Sequence, residues 1–177
     1  MSKTYRPRII DDLIVKKLEA QGAVLVEGPK ACGKTTTAMQ IAKSLLRMDN
    51  PEQLQQNLNM AQLNPSRLLS GDTPRLIDEW QLAPKLWDAM RYEIDRRSEP
   101  GQFILTGSSV PPDASEILHS GTGRFAWLLM RTMSLFESGE STGDVCLKEL
   151  FDGNTLIDGE SRLRQKIMGR DTICHTS

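Results

Sequence analysis

Gly28-Pro29-Lys30-Ala31-Cys32-Gly33-Lys34-Thr35 is a complete G-x-x-x-x-G-K-[ST] loop, and it follows the apolar run Ala23-Val24-Leu25-Val26. A buried strand that feeds such a loop into a helix is the context in which this pattern cradles phosphate. Gly28 and Gly33 let the backbone turn tightly. The chain through Pro29, Lys30, Ala31, Cys32 and Thr36 then wraps a nucleotide's phosphates, with N–H groups and the next helix N-terminus pointing at the β-phosphate. Lys34 is placed to reach the β- and γ-phosphates, and Thr35 to set its hydroxyl on Mg²⁺.

Composition narrows what surrounds the loop. The 177 residues are 38% hydrophobic and 25% charged, enough for one α/β domain with a core of ordinary size. Lys and Arg number 22 against 23 Asp and Glu, so no global field drives the chain onto nucleic acid or anionic lipid. The N-terminus, Met1-Ser-Lys-Thr-Tyr-Arg-Pro-Arg8, lacks the apolar centre of a signal peptide, and no run approaches the roughly 20 apolar residues of a membrane span. A cytoplasmic protein without membrane partners is expected. Cys32, Cys146 and Cys174 are few, odd in number and widely spaced, which argues against a disulfide framework or a zinc site. Cys32 reads as a small residue tolerated in the loop. The sharper alternative is a thiol whose oxidation or alkylation blocks nucleotide binding.

Along the chain, strands and helices alternate. Asp11 to Gln21 reads as an amphipathic helix with Leu13, Ile14 and Leu18 on one face, ended by Gly22. Thr35 to Leu46 carries Ala38, Ile41, Ala42 and Leu45 at helical spacing. Ser44 to Asp49 either closes that helix or forms a short second strand, and the strand is preferred. Residues 51–72 suggest one or two short helices broken at Pro65. Arg75-Leu-Ile-Asp-Glu-Trp80 reads as a strand, Pro84 to Arg97 as a helix with Leu86, Trp87, Met90 and Ile94 inward, and Gln102 to Ser109 as another buried strand. Asp113 can cap a short helix through Leu118, and Arg124 to Met133 suits a fifth buried strand. This pattern predicts an α/β fold: a mostly parallel five-stranded sheet with helices on both faces.

Asp78 and Glu79 supply the second half of a site. An apolar strand ending in Asp puts a carboxylate beside Mg²⁺ at the sheet's C-terminal edge, and Glu79 stands one residue further, where it can activate a water against the γ-phosphate. The pair favours hydrolysis over transfer to a metabolite. Thr106, with Ser108 and Ser109 next, is a candidate for contacting that water or the γ-phosphate, the plainer reading being a cap on the following turn. Arg124 reads as an arginine finger, acting on its own site or a second copy's, or as an ordinary surface arginine.

Four segments in this order resemble a known family: Gly28 to Thr35, Leu76-Ile-Asp-Glu-Trp-Gln81, Pro84-Lys-Leu-Trp-Asp-Ala-Met-Arg91 and Phe103-Ile-Leu-Thr-Gly-Ser-Ser109. They are similar to the bacterial and archaeal AAA-type ATPases that carry a C-terminal domain of unknown function. Tyr5 to Ile10 and Gly123-Arg124-Phe125 fit as well. The resemblance implies a three-layer P-loop NTPase sandwich of the additional-strand, catalytic-glutamate class, with a strand between the two Walker strands. It also implies binding and hydrolysis of ATP by Lys34, Thr35, Asp78 and Glu79 with Mg²⁺. Members of that family are usually longer, so the expected organisation is a helical lead-in over 1–22, a core over 23–151 and a divergent or truncated tail over 152–177. Two rival activities stay open: a small-molecule kinase, and a nucleotide-dependent regulatory module whose partner is protein or DNA. Arg91, Arg96 and Arg97 form a small basic cluster, but near-neutral charge and the lack of a helix-turn-helix pattern argue against DNA contact through this domain.

Overall fold

The computed structural model describes residues 4–107, 121–142, 151 and 153. Ile9–Thr132 form one compact unit, and Met1–Arg8 with Met133–Ser177 form a second.

In the first unit the chain runs α1 (Ile9–Ala20), β1 (Ala23–Glu27), α2 (Lys34–Ala38), β2 (Ser44–Arg47), α3 (Leu54–Leu63), α4 (Pro65–Leu68), β3 (Arg75–Asp78), α5 (Lys85–Arg97), β4 (Phe103–Gly107) and β5 (Phe125–Leu129). The strands lie in the order β2-β3-β4-β1-β5, and every neighbouring pair is parallel. β4 therefore separates β1, which leads into the Gly-rich loop, from β3, which ends in Asp78. That is the inserted strand expected of the class.

Side chains alternate across the sheet with the two-residue period of a strand. Ala23, Leu25, Ile77, Phe103 and Leu105 point to the face covered by Leu86, Trp87, Met90 and Ile94 of α5 and Ala61 of α3. Val24, Val26, Leu76 and Ile104 point to the other, against Ile10, Ile14 and Leu18 of α1 and Ala38 of α2. Strands buried on both faces must read as continuous apolar runs, as β1 and β4 do. Each large side chain taken fully out of water here contributes roughly 1.5–3 kcal/mol before the cost of ordering it. The α1 stripe repeats every four residues, and Asp11 and Asp12 in its first turn suit the positive end of the helix.

Three elements differ from expectation. The helix expected over Thr35–Leu46 stops at Ala38. Ile41 and Ala42 still pack on the core, but from a turn, and the Lys43 amide donates to the Pro74 carbonyl at 2.8 Å, which draws the chain into β2. The preferred short strand is thus the one formed. The strand expected through Trp80 ends at Asp78, because Glu79 turns left-handed (φ 55°) into a 3₁₀ turn over Trp80–Leu82. The fifth strand is shorter and less buried than expected: it lies at the sheet's edge, where Trp127 and Leu129 are 48% and 64% exposed. Expectations for Ser108, Ser109, the helix over 113–118, Cys146, Cys174 and the tail fall outside the described residues.

In the second unit, the Arg8 Nε donates to the Glu137 carboxylate at 3.0 Å, and the same carboxylate accepts from the amide and hydroxyl of Ser134 at 2.8 and 2.9 Å. Arg6 adds a bond to the Ser138 carbonyl at 2.9 Å. Among the described residues no helix is long and apolar enough to cross a membrane.

Candidate functional site

Parallel strands bring their C-terminal ends to one edge, and the register fixes what meets there. Asp78 of β3 stands opposite Thr106 of β4, and Thr106 opposite Val26 of β1, one residue before the strand gives way to the loop. The open edge of an α/β sheet beyond its C-terminal strand ends is where such folds take ligands.

The loop turns through three left-handed residues, Gly28 (φ 155°), Ala31 (φ 64°) and Gly33 (φ 103°). Gly28 has a steric reason beyond its dihedral: a Cβ there would come within 2.1 Å of the Met130 carbonyl oxygen, a backbone atom with nowhere to go. Met130 is itself held by its amide, which donates to the Glu27 carbonyl at 2.7 Å. Cys32, buried, donates its thiol to the same Met130 carbonyl at 3.7 Å. Its sulfur is thus packed inside the loop's support.

Lys34 opens α2 and is 6% exposed. Its ammonium donates to the carbonyls of Gly28 and Pro29 at 2.9 and 2.8 Å, which uses two of its three N–H groups. The Thr35 hydroxyl donates to Asp78 Oδ1 at 2.8 Å, and the buried Thr106 hydroxyl donates to the same oxygen at 2.6 Å. Buried carboxylate oxygens need such hydrogen-bond partners, and Asp78 is 5% exposed. Glu79 is half-buried and lines a cavity of about 230 Å³ together with Lys30, Ala31, Gly33, Lys34, Thr35 and Thr36. Gln81 Nε2, from the 3₁₀ turn, donates to Glu79 Oε2. Sequence reasoning gave Gln81 no role; its position two residues past the acid was the only signal.

Of the residues singled out from the sequence, Gly28 to Thr36, Asp78, Glu79 and Thr106 converge on this edge. Arg124 does not. It precedes β5, and its carbonyl accepts from the amide of Ala23, the first residue of β1. The 5 residues of β1 separate it from the loop, roughly 17 Å at about 3.3 Å per residue. Its guanidinium is bound instead to Asp95 at 2.9 Å. Their hydrogen bond, with the attraction of opposite charges, raises the arginine's pKa and lowers the carboxyl's. A finger acting on its own site is therefore not what this arginine forms. The basic cluster of α5 is also spoken for: Arg96 and Arg97 bond Glu93 at 2.7 and 3.1 Å, and Arg91 lies 3.7 Å from Asp95.

A five-stranded parallel sheet in this order, with a Gly-rich loop, a lysine and a threonine at the end of β1 and an aspartate at the end of β3, defines a P-loop nucleotide-binding module. The AAA domain family model matches residues 20–138, and the chain belongs to that family. It is also similar to an uncharacterized protein of Mycobacterium bovis and to one of Mycobacterium tuberculosis, each 28% identical over 135 residues, covering 73% of this chain and 29% of the relative. The chain thus spans under a third of the length of these relatives.

Proposed function

We propose that this domain binds ATP with Mg²⁺ and hydrolyses it to ADP and phosphate. The observation that carries the reading is the single cavity edge shared by Lys34, Thr35 and Glu79, with Asp78 bonded to Thr35 behind it.

The donor set suits Mg²⁺, a hard cation that takes oxygen ligands and is commonly held by one or two protein groups plus phosphate and water. Thr35 Oγ1 and Asp78 Oδ1 are such oxygens, 2.8 Å apart. Among the described residues no group of three or more His, Cys, Asp and Glu gathers into an all-protein metal cage. The bound cation would neutralise charge on the β- and γ-phosphates. Lys34 has an N–H left for a phosphate oxygen, and the loop amides orient the rest of the phosphate chain. Glu79 accepts a proton from a water as its oxygen bonds to the γ-phosphorus, and the bond from that phosphorus to the β–γ bridging oxygen breaks. Thr106 keeps Asp78 from turning away.

Binding of a fluorescent ATP analogue and steady-state phosphate release, with Mg²⁺, test the proposal in the wild type, Lys34→Ala and Glu79→Gln. Lys34→Ala is expected to weaken binding strongly, and Glu79→Gln to bind as the wild type does but turn over far more slowly. Absence of binding in the wild type overturns the proposal, full phosphate release by Glu79→Gln would remove Glu79 from the role of base, and transfer of a labelled γ-phosphate to an added small molecule would return the kinase reading to the front.

A further inference from the structure

We propose that Gln81 is a positioning residue for Glu79: it grips one carboxylate oxygen so that the other faces the water that attacks ATP. The inference rests on the hydrolytic reading of Glu79 given above.

Glu79 is the residue at which β3 breaks. Its left-handed backbone throws the side chain off the strand's alternation and into the cavity that Lys34 and Thr35 line. A glutamate half-exposed at a strand end has three side-chain torsions to fix, and nothing in the loop fixes them. Gln81 does so. It is 7% exposed, and the 3₁₀ turn that carries it is anchored by Trp80, itself 3% exposed and 5.1 Å from the ring of Trp87. The donor is therefore packed into the core while the acceptor reaches into the cavity, which is the arrangement that orients a catalytic group.

The amide can face the acid only one way. With Nε2 toward Glu79 it donates; reversed, it would set a carbonyl oxygen against a carboxylate. That choice sends Gln81 Oε1 to a buried place where it has no partner among the described residues. A buried carbonyl left unsatisfied is a cost, and it is accepted here in exchange for the bond to Glu79. The space is made by Gly107, the last residue of β4, whose dihedrals need no glycine. A Cβ at 107 would stand 2.5 Å from Gln81 Oε1 and 3.1 Å from Trp80 Nε1, so the missing side chain is room for the amide. One oxygen of Glu79, Oε2, is held; Oε1 is left to take the proton.

The test is a double-mutant cycle over Gln81→Leu and Glu79→Ala. It measures kcat, affinity for a fluorescent ATP analogue with Mg²⁺, and melting temperature without nucleotide. Leucine keeps the volume and discards both the donor and the unsatisfied carbonyl. Gln81→Leu is expected to lower kcat about 10-fold with affinity unchanged, and to lower nothing further once Glu79 is alanine. The two shifts in melting temperature are expected to be non-additive. Unchanged or raised kcat in Gln81→Leu overturns the inference, as do an equal fractional loss in the Glu79→Ala background and additive melting shifts. Gly107→Ala perturbs the amide from the far side and covers the case in which Gln81→Leu does not fold. It is expected to lower kcat without weakening nucleotide binding, and wild-type kcat there counts against the role. Wild-type turnover by Glu79→Ala would sink the hydrolytic reading itself and this inference with it. An inactive Glu79→Ala beside a fully active Gln81→Leu sinks only the inference.

Discussion

At the C-terminal edge of the sheet, Asp78 is bonded by two hydroxyls and Lys34 by two carbonyls. Toward the N-terminal edge the charges have charged partners: Glu93 is gripped by Arg96 and Arg97, and Asp95 by Arg124 and Arg91. Among the described residues no ion pair includes Lys34, Asp78 or Glu79. Neutral partners hold a charge in place and satisfy its hydrogen bonds without cancelling it, so its field remains available to a ligand. Charged partners cancel it. On the proposed reading, the difference separates an edge suited to receive phosphate and a cation from a network that ties a helix together, although both are clusters of carboxylates and cations on one fold.

The largest effects should appear at the edge that keeps its charges. Glu79→Gln is expected to lower kcat by about 10²–10⁴-fold while nucleotide affinity holds, the range associated with losing a general base. Lys34→Ala removes a charge-assisted contact to phosphate and should weaken ATP binding on the order of 100-fold, read by titration with a fluorescent analogue. Equal sensitivity of hydrolysis to Glu93→Gln would break the comparison outright. Thr106→Val sharpens it: Asp78 keeps the Thr35 hydroxyl but loses a bond inside the core, and the folded state should lose about 1–3 kcal/mol in a urea titration. Turnover should fall as well, because a freed Asp78 no longer holds Thr35 in a single orientation.

Much of this site is legible in the sequence because it is carried by short contiguous patterns. Gly28 to Thr35 specify the loop and the helix start after it, and Leu76-Ile77-Asp78 announces a buried strand with a carboxylate at its end. Thr106 is visible for the same reason, as a hydroxyl closing an apolar run. What stayed hidden depends on tertiary contacts that no local spacing encodes. Ile41 and Ala42 keep a helical interval but are claimed by a turn, since the Lys43 amide finds the Pro74 carbonyl 31 residues away. Trp127 and Leu129 look like core and lie exposed because strand order, not composition, puts β5 at the edge. Arg124 follows a Gly-Thr-Gly run, yet parallel pairing of β5 with β1 carries it to the opposite edge. Gln81 acquires meaning only when Gly107, from another strand, leaves space for its amide.

The smallest effects belong to the paired charges. Arg124→Ala should leave hydrolysis per molecule unchanged in dilute protein; a fall that appears only as concentration rises would instead mark action on a second copy. Glu93 offers a finer test, through pH. The hydrogen bond from Arg96, ahead of the charge of Arg97, holds its carboxyl below the ordinary value of 4.5. A carboxyl whose folded pKa is depressed contributes stability that is fully present above its unfolded pKa and is lost as pH falls through the folded one. Acidification below about 4.5 should therefore lower the melting temperature of the wild type more steeply than that of Glu93→Gln, which has no such proton to bind. The pairing predicts where the two curves converge: at low pH, where Glu93 is protonated and the arginines have lost the charge they were holding. Curves that stay parallel through the acid range would mean that Arg96 and Arg97 do not stabilise the ionised carboxylate, and the contrast between the two edges would lose its N-terminal half.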